Sequence, residues 1–347
     1  MSKNTSFKSV VVKEDAKTSL AEAGVYNLTL ESGRKIVTLA HLFFPDHDRE
    51  MFKVVLKYLE KTKPDVVFLL GGIVNEEAFK SLVEVEVNYL HEYEDAPEVI
   101  EARKAGMFED QVLKLGKSCG NFIRKIQKAS GANVFYIPSA THLSMPNEVR
   151  LMEFIQAKKA YLDQWAANHP EASDTPSDPT KELPKQLDEL FGLNQETKIK
   201  VLRFGSAVMV NNNTLFMIGD FRRRNPGDAS KVEWEQRLVN IVRSFDGKVA
   251  SSWMTTPDNS FPAHQAKFVH FHEVGHMWDV SRMGHLRDYD KRCQGFWAGT
   301  VVANEIFGSC VIVIPGNDGK RSFVVDGVAF TETNAAKLTN GEILKLA

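Results

Sequence analysis

The stretch that decides the fold is Lys63-Pro-Asp-Val-Val-Phe-Leu-Leu-Gly-Gly-Ile-Val-Asn75. Its apolar run, Val66 to Leu70, begins after a proline and ends at the glycine pair Gly71-Gly72. A short apolar run between such breakers indicates a fully buried strand, of the kind that parallel sheets contain. The neighbouring sequence therefore has to supply the parallel partners.

A helix and a second strand precede this run. Apolar residues recur at helical spacing from Asp48 to Thr62, and either Asp46 or Asp48 is a suitable N-cap. Before them, Lys35 to Phe44 is another apolar run. Strand, helix and strand within about forty residues form a βαβ unit, whose ligands bind at the carboxyl ends of its strands. We therefore expect the residues that follow these two strands to decide the function.

The composition is that of an ordinary folded protein, with 347 residues, 43% hydrophobic and 25% charged residues, and a net charge of −2. This net charge gives no overall attraction to nucleic acid or to an anionic membrane, but it allows a local basic patch. No apolar run is long enough to span a bilayer, and the first residues lack the apolar core of a signal peptide. Cys119, Cys293 and Cys310 are odd in number and widely spaced, which predicts reduced thiols. We expect a cytoplasmic protein without membrane contact.

The rest of the chain adds further strands and helices. Asn133 to Pro138 is predicted to be a third strand, and Asp228 to Ser244 a helix. Residues 169–187 are rich in proline and acidic residues and are predicted to form a surface insertion. We expect one domain over residues 35–330, an N-terminal extension over 1–34 and a C-terminal tail over 331–347.

One glycine-rich segment imitates two catalytic motifs. Gly116-Lys117-Ser118-Cys119-Gly120 fits the G-x-S-x-G nucleophile elbow and resembles the end of a phosphate-binding loop. The elbow needs a strand that enters the serine, whereas the flanking sequence here is helical. The phosphate loop needs a glycine where Gln111 stands. The segment is therefore predicted to be helix surface.

A more specific motif is His272-Glu273-Val274-Gly275-His276. It satisfies H-E-x-x-H, in which two histidines one helical turn apart bind zinc and the glutamate acts as general base. Polar and apolar residues alternate from Lys267 to His272, which favours a strand over the helix that the motif requires. Because His264, His270 and His285 lie nearby, both a metal site and a pair of strands with scattered imidazoles stay open.

A basic run, Arg222, Arg223 and Arg224, follows the predicted strand that ends at Ile218. Guanidinium groups at a turn bind phosphates well, which makes this run a candidate site for a nucleic-acid backbone. A solvated charge run has the same sequence, so both interpretations stay open.

The order of these segments resembles that of the calcineurin-like metallophosphoesterases, especially the compact phosphoesterases encoded by bacteriophages. The resemblance covers residues 35–330 and implies an α/β fold, the calcineurin-like metallophosphoesterase sandwich of two mixed β-sheets flanked by helices. It is carried by His41-Leu-Phe-Phe-Pro-Asp-His-Asp, Lys63-Pro-Asp-Val-Val-Phe-Leu-Leu-Gly, Val134-Phe-Tyr-Ile-Pro with Thr141-His142, Phe216-Met-Ile-Gly-Asp and Gln294-Gly295-Phe296.

Members of this family hold two metal ions about 3.5–4 Å apart between Asp, Asn and His side chains at strand ends. Carried over motif by motif, the resemblance implies that His41 and His142 are retained and that most other ligands are replaced. The favoured alignment places the last histidine pair on Trp253 and Thr255, whereas an alternative alignment retains it as His270 and His272. The degenerate ligand positions are then Leu39, His41, Gly72, Thr141, His142, Ile218, Trp253 and Thr255.

Both ligand aspartates of the family pattern are missing, at Leu39 and Gly72. A dinuclear site without a carboxylate leaves about four positive charges facing neutral imidazoles, and hard cations prefer oxygen ligands. We therefore expect no metal cofactor. If a divalent metal (Mn, Fe or Zn) is retained, the candidate ligands are His41, His142, His270, His272 and His276.

The favoured function is that of a catalytically inactive, phage-encoded protein that binds a partner or forms part of a structure. The partner would be a protein of the phage particle or of the host, or a nucleic-acid backbone held by Arg222 to Arg224. The location would be the host-cell cytoplasm or the virion. Two alternatives stay open: a metal-dependent phosphodiesterase or nuclease with a rearranged His-rich site, and a zinc hydrolase that uses His272 to His276.

Overall fold

The structure describes the strands and helices of part of the chain. The computed structural model describes residues 13–15, 25–75, 78, 111–139, 184, 186–218, 240–244, 250–255, 268–279, 293–316, 320–331 and 335–337, and further single positions between 152 and 170. Within these residues the chain forms three sheets and three helices whose bounds are known, and the single positions between 152 and 170 are helical as well.

The first sheet is built around the apolar run that opens the sequence analysis. Its strands are β3 (Lys35–Ala40), β4 (Val66–Leu70), β5 (Asn133–Ile137), β6 (Ile199–Val201), β12 (Gly295–Val302) and β13 (Glu305–Ile312). They lie in the order β13-β12-β3-β4-β5-β6. β3 to β6 are parallel, and β12 is antiparallel to both of its neighbours. All five residues of β4 are buried, which confirms the predicted central strand.

The second sheet has seven strands. They are β1 (Lys13–Asp15), β2 (Val25–Leu28), β7 (Ala207–Val210), β8 (Thr214–Ile218), β9 (Asn240–Ser244), β10 (Ala250–Thr255) and β11 (Phe268–Glu273). Their order is β1-β2-β7-β8-β9-β11-β10. β8, β9 and β11 are parallel, whereas β10 runs antiparallel to β11. The segment taken as an N-terminal extension thus supplies two strands of this sheet.

A small third sheet lies near the C-terminus. It consists of β14 (Ile314–Pro315), β15 (Arg321–Val325), β16 (Val328–Thr331) and β17 (Ala335–Lys337), in that order. Because β16 pairs with β17, the boundary expected at residue 330 falls within this sheet.

The helices are α1 (Arg49–Thr62), α2 (Gln111–Ser130) and the single turn α3 (Leu187–Leu190). The α1 N-cap is Asp48, one of the two predicted caps, whose carboxylate accepts hydrogen bonds from the amides of Glu50 and Met51. The helix ends at Lys63, which adopts a left-handed conformation with φ of 44°. None of the described helices has the length and apolar character that crossing a membrane requires.

Gly116 and Gly120 lie inside α2, which confirms the predicted helix, but both are buried, so the predicted surface position of this segment is wrong. A Cβ on Gly116 would lie 2.6 Å from Leu190 Cδ1, and one on Gly120 would overlap the carbonyl of Phe191. The two glycines therefore allow α3 to pack against α2, and the hydroxyl of Ser118 donates to the carbonyl of Lys114 in its own helix. Helix packing accounts for a segment that imitates two catalytic motifs.

The two large sheets face each other across an apolar layer. Phe216 of the second sheet stacks on Phe68 of the first at 4.3 Å and meets Trp297 at 5.6 Å between ring centroids. A second layer fills the space between the first sheet and its helices, where Phe52 and Phe122 stack at 4.3 Å. Two mixed sheets flanked by helices confirm the predicted fold class.

The helix predicted over Asp228 to Ser244 is wrong at its end, because Asn240–Ser244 is strand β9. Ile241 and Val242 are buried on opposite faces of the sheet, and the parallel partners β8 and β11 supply the hydrogen bonds. Pairing with distant strands overrides the local helical pattern here. Residues 228–239 lie outside the described residues, as does nearly all of the insertion predicted over 169–187.

Candidate functional site

The carboxyl ends of strands from both large sheets meet at one place. A Cβ on Gly71, just after β4, would lie 2.9 Å from Ile218 Cδ1 at the end of β8 and 3.2 Å from Cβ of Ser139, two residues after β5. The family resemblance places the metal ligands at such strand ends. The described structure therefore brings the predicted positions Gly72 and Ile218 to the expected edge of the two sheets.

The loops after β3 and β4 lie against each other. The amide of His41 donates to the carbonyl of Gly71 at 3.1 Å, and that of Phe43 donates to Gly72 at 2.9 Å. Gly72 has φ of +57°, and a Cβ there would lie 2.7 Å from Nδ1 of His41 and 3.2 Å from its Cα. The space that a carboxylate at position 72 would need is taken by the imidazole of His41.

Aromatic rings surround His41. The ring of Trp278 lies edge-on to His41 at 5.9 Å and to Phe43 at 4.8 Å, and His276 stacks on Trp278 at 3.8 Å with an interplanar angle of 11°. These four side chains are at most 3% exposed. The strand-end site is therefore packed with rings, and we call His41, Phe43, His276 and Trp278 the aromatic cluster.

Backbone hydrogen bonds hold the segment after β11 in this position. The amide of Met277 donates to the carbonyl of His41 at 3.0 Å, and the amide of Asp48 donates to the carbonyl of Met277 at 2.8 Å. On the other side, the amide of His276 donates to Cys293 at 3.1 Å and that of Gly295 donates to His276 at 3.1 Å. The segment thus lies between the loop after β3 and the start of β12.

The H-E-x-x-H motif has no helix. His272 and Glu273 end strand β11, and His276 lies three residues beyond that strand. His272 contacts Trp297 between the sheets, whereas His276 stacks on Trp278. Glu273 forms an ion pair with Arg243 at 3.2 Å, so its carboxylate already has a cationic partner. The zinc-hydrolase alternative is wrong, because it requires both histidines on one face of a helix.

His272 is a buried histidine of the apolar layer between the sheets. It is 2% exposed, and its ring lies 5.9 Å from that of Trp297 and 3.9 Å from that of His270. Burial, together with the neighbouring His270, lowers the pKa of His272 to about 4. The imidazole is therefore neutral at physiological pH.

This burial makes stability depend on pH. Because the folded pKa is about 4 and the unfolded value about 6.5, the unfolded chain binds the proton more tightly, and stability is lost as pH falls from about 6.5 toward 4. We predict that replacing His272 by leucine removes about 3 kcal/mol of this loss. Urea unfolding of both proteins between pH 4 and pH 7 measures it. Parallel pH profiles for the two proteins would contradict the assignment.

The favoured alignment of the last histidine pair does not fit the topology. β10 is antiparallel to β11, so its carboxyl end at Thr255 lies at the edge opposite to the ends of β8, β9 and β11. Trp253 pairs with His270 in the middle of these strands. Neither Trp253 nor Thr255 therefore lies at the strand-end site. The backbone direction, which no local pattern reveals, decides this point.

The other predicted positions divide into two groups. Leu39 is fully buried in the layer between the first sheet and its helices. Thr141, His142 and the basic run Arg222 to Arg224 lie outside the described residues. Within the described part of the chain, no group of three or more His, Cys, Asp or Glu side chains is arranged to hold a metal ion.

Sequence reasoning missed the role of Asp48 next to this site. Besides capping α1, its carboxylate accepts hydrogen bonds from Gln294 Nε2 at 2.8 Å and from Arg321 Nε at 2.9 Å. Burial opposes ionisation of Asp48, but the hydrogen bonds from Met51, Gln294 and Arg321 outweigh it and lower its pKa. The carboxylate connects the loop after β3 with β12 and with the third sheet. Its partners are more than 240 positions away in the sequence, and no local pattern predicts such pairs.

Comparisons with known proteins find similarity in structure only. No protein-family profile matches the sequence, and no curated protein matches it. Among solved structures, Vps29 from Chaetomium thermophilum is 9% identical with a TM-score of 0.33, over 87% of this chain and 99% of that one. Vps29 complexed with Zn²⁺ from Entamoeba histolytica is 9% identical with a TM-score of 0.31, over 86% and 96%. PhoD is 11% identical with a TM-score of 0.36, over 91% and 74%.

Proposed function

We propose that this chain is a non-catalytic binding protein built on a metallophosphoesterase-type scaffold. The observation that carries the proposal is the contact between Gly72 and His41. A Cβ at position 72 would lie 2.7 Å from Nδ1 of His41, so the carboxylate that the family pattern requires would force the imidazole of His41 to move. The retained histidine occupies the space of the lost ligand.

The chemistry of the remaining side chains supports the same function. Ile218 and Ser139 converge on Gly71, and the aromatic cluster surrounds His41. Imidazole alone does not offset the charge of two divalent ions, which catalytic sites of this type balance with carboxylates. These side chains fit a structural role better than a pair of metal ions.

The partner is a protein, either a component of a phage particle or a host factor, or the backbone of a nucleic acid. The chain acts in the host-cell cytoplasm or in the virion. The phage-type resemblance of residues 35–330 supports this assignment. Fold analogy by itself does not determine function, so hydrolysis has to be tested directly.

The test is hydrolysis of the chromogenic phosphodiester bis(p-nitrophenyl) phosphate in the presence of Mn²⁺, Fe²⁺ or Zn²⁺. We expect no turnover above the rate without protein, and the same result for His41→Asn, because no metal-bound nucleophile forms. An active metallophosphoesterase measured in parallel verifies the assay. Metal-dependent turnover that His41→Asn abolishes would contradict the proposal and favour the phosphodiesterase alternative with a His-rich site.

A further inference from the structure

A basic surface lies on the helices of the first sheet, away from the strand-end site. α2 carries five lysine and arginine residues and no acidic residue over its whole length. α1 with its caps Asp48 and Lys63 carries five basic and three acidic residues. The two helices with the caps of α1 therefore have a formal charge of +7 in a chain whose net charge is −2, which leaves the rest of the chain at −9.

The basic residues of α2 share one face. Lys114, Lys117, Lys125 and Lys128 are exposed, and at about 100° per residue they fall within roughly 80° of the helix circumference. They extend over about 21 Å of the helix axis, at about 1.5 Å per residue. Arg124 lies beside this face and pairs with Glu196. The α2 stripe is thus a straight row of charges on a rigid element.

The exposed face of α1 continues this row. Lys53, Lys57 and Lys61 are spaced four residues apart and are exposed. The two helices lie side by side, because Phe52 stacks on Phe122 and Lys63 Nζ donates to the carbonyl of Ala129 at 2.8 Å. Their solvent-facing sides therefore form one surface.

Several of these lysines are not engaged in local ion pairs. Lys57, Lys117, Lys125 and Lys128 form no ion pair with any residue in the described ranges. Lys53, in contrast, pairs with Glu50 at 2.8 Å. In α2 no acidic residue stands three or four positions from these lysines, whereas in α1 Glu60 stands three positions after Lys57 without pairing with it. We call these four residues the free lysines.

We propose that the basic surface of α1 and α2 binds the phosphate backbone of a nucleic-acid duplex without reading its sequence. This inference rests on the proposed binding function and names the class of its partner. A duplex carries one negative charge per 1.7 Å of its axis, so a rigid row of ammonium groups about 21 Å long faces many phosphates. The charge of the surface is complementary to that partner.

Other polyanions fit the surface less well. Helices that bind membranes expose large apolar side chains along with lysines. The exposed large hydrophobic residues of the described structure are Val302, Phe307, Ile312 and Ile314, and none of them lies on α1 or α2. Single-stranded nucleic acid is bound by stacking on exposed aromatic rings, whereas Phe52, Tyr58 and Phe122 are buried. The backbone of a duplex requires neither exposed apolar side chains nor exposed aromatic rings, so it fits this surface best.

The experiment measures binding of the full chain to labelled DNA and RNA duplexes of arbitrary sequence, in EDTA, between 50 and 200 mM KCl (roughly the range over which counterion release is resolved). Four lysine–phosphate contacts predict that log Kd rises with log salt with a slope of about 3.6. Replacing the free lysines by glutamine should remove most of this slope and weaken binding at least tenfold at low salt. The matched variant with arginine at all four positions should bind like the original protein.

Three results would overturn the proposal. They are a salt slope near zero, equal binding by the glutamine variant, and binding to phosphatidylserine vesicles or polyglutamate but not to duplexes. If replacing Arg222, Arg223 and Arg224 by glutamine abolishes binding while the lysine variant binds normally, the helical site is wrong and the binding function stands. Metal-dependent hydrolysis of bis(p-nitrophenyl) phosphate would instead contradict the proposed function, whatever the lysine variants do.

Discussion

Replacing Asp48 by alanine is expected to lower the free energy of unfolding by about 3–5 kcal/mol, because it breaks a buried charge pair and removes a helix cap. Asp48 is 5% exposed, and its Oδ2 lies 2.7 Å from Nη2 of Arg321. Without it, the largely buried guanidinium of Arg321 loses its partner, and the first amides of α1 lose their acceptor. Gln294, whose amide donates to the same carboxylate, loses one of its two acceptors.

Two variants control this prediction, with urea unfolding as the measurement. Asp48→Asn keeps a capping oxygen and should cost less than alanine, since only the charge is lost. Glu50→Gln, at a solvated position two residues away, should cost less than about 0.5 kcal/mol. An alanine variant as stable as the original protein would mean that the connection to the third sheet contributes nothing.

The carboxylate of Asp48 also makes the free energy of unfolding depend on pH in the acid range. The pKa of Asp48 is lower in the folded protein than the unfolded value of about 3.9. The stability that its ionised form contributes is therefore fully present above the unfolded pKa and is lost as pH falls through the folded pKa. The difference in free energy of unfolding between the original protein and Asp48→Ala should therefore become smaller below about pH 4.

Restoring the lost carboxylate by Gly72→Asp is expected to cost about 2–5 kcal/mol of stability without creating a metal site. Part of this cost comes from φ of +57°, which a residue with a Cβ adopts with strain. The other part comes from the imidazole of His41, which lies where the side chain would go. An aspartate at position 72 can therefore be accommodated only if the imidazole of His41 moves.

Two glycine variants separate the causes. Gly72→Ala should lose nearly as much stability as Gly72→Asp, because the contact at Cβ is the same. Gly33 has φ of +85°, and a Cβ there would have no atom within 4 Å. Gly33→Ala therefore measures backbone strain alone, with an expected loss of stability of about 1–2 kcal/mol. If Gly72→Asp were as stable as the original protein and bound Mn²⁺, the steric explanation for the lost site would be wrong.

The centre of the fold could be predicted from the sequence because its signals are local. The apolar run of β4 lies between proline and glycine breakers, and an aspartate caps α1. β9 shows the opposite case, because its strand conformation depends on β8 and β11, which are distant in sequence. Short segments between two partners carry too little local pattern to decide between helix and strand.

The candidate site was predictable in part, for the same reason. Gly72 follows the apolar strand β4 and Ile218 ends the apolar strand β8, and parallel strands bring their carboxyl ends to one edge. The motif His272-Glu273-Val274-Gly275-His276 was misleading because H-E-x-x-H specifies chemistry only on a helix, and β-sheet pairing of Phe268–Glu273 removes that geometry. Trp278 has no sequence signature, although it contributes the largest ring of the aromatic cluster.

The metal content of the chain tests the central claim most directly. The purified protein would be equilibrated with excess Mn²⁺ and Zn²⁺, freed of unbound ions by gel filtration and analysed by inductively coupled plasma mass spectrometry. A strand end that holds His41 and rings in place of carboxylates predicts far less than one ion per chain. Two ions per chain, lost together in His41→Asn, would show that the site still binds a metal pair and would contradict the account.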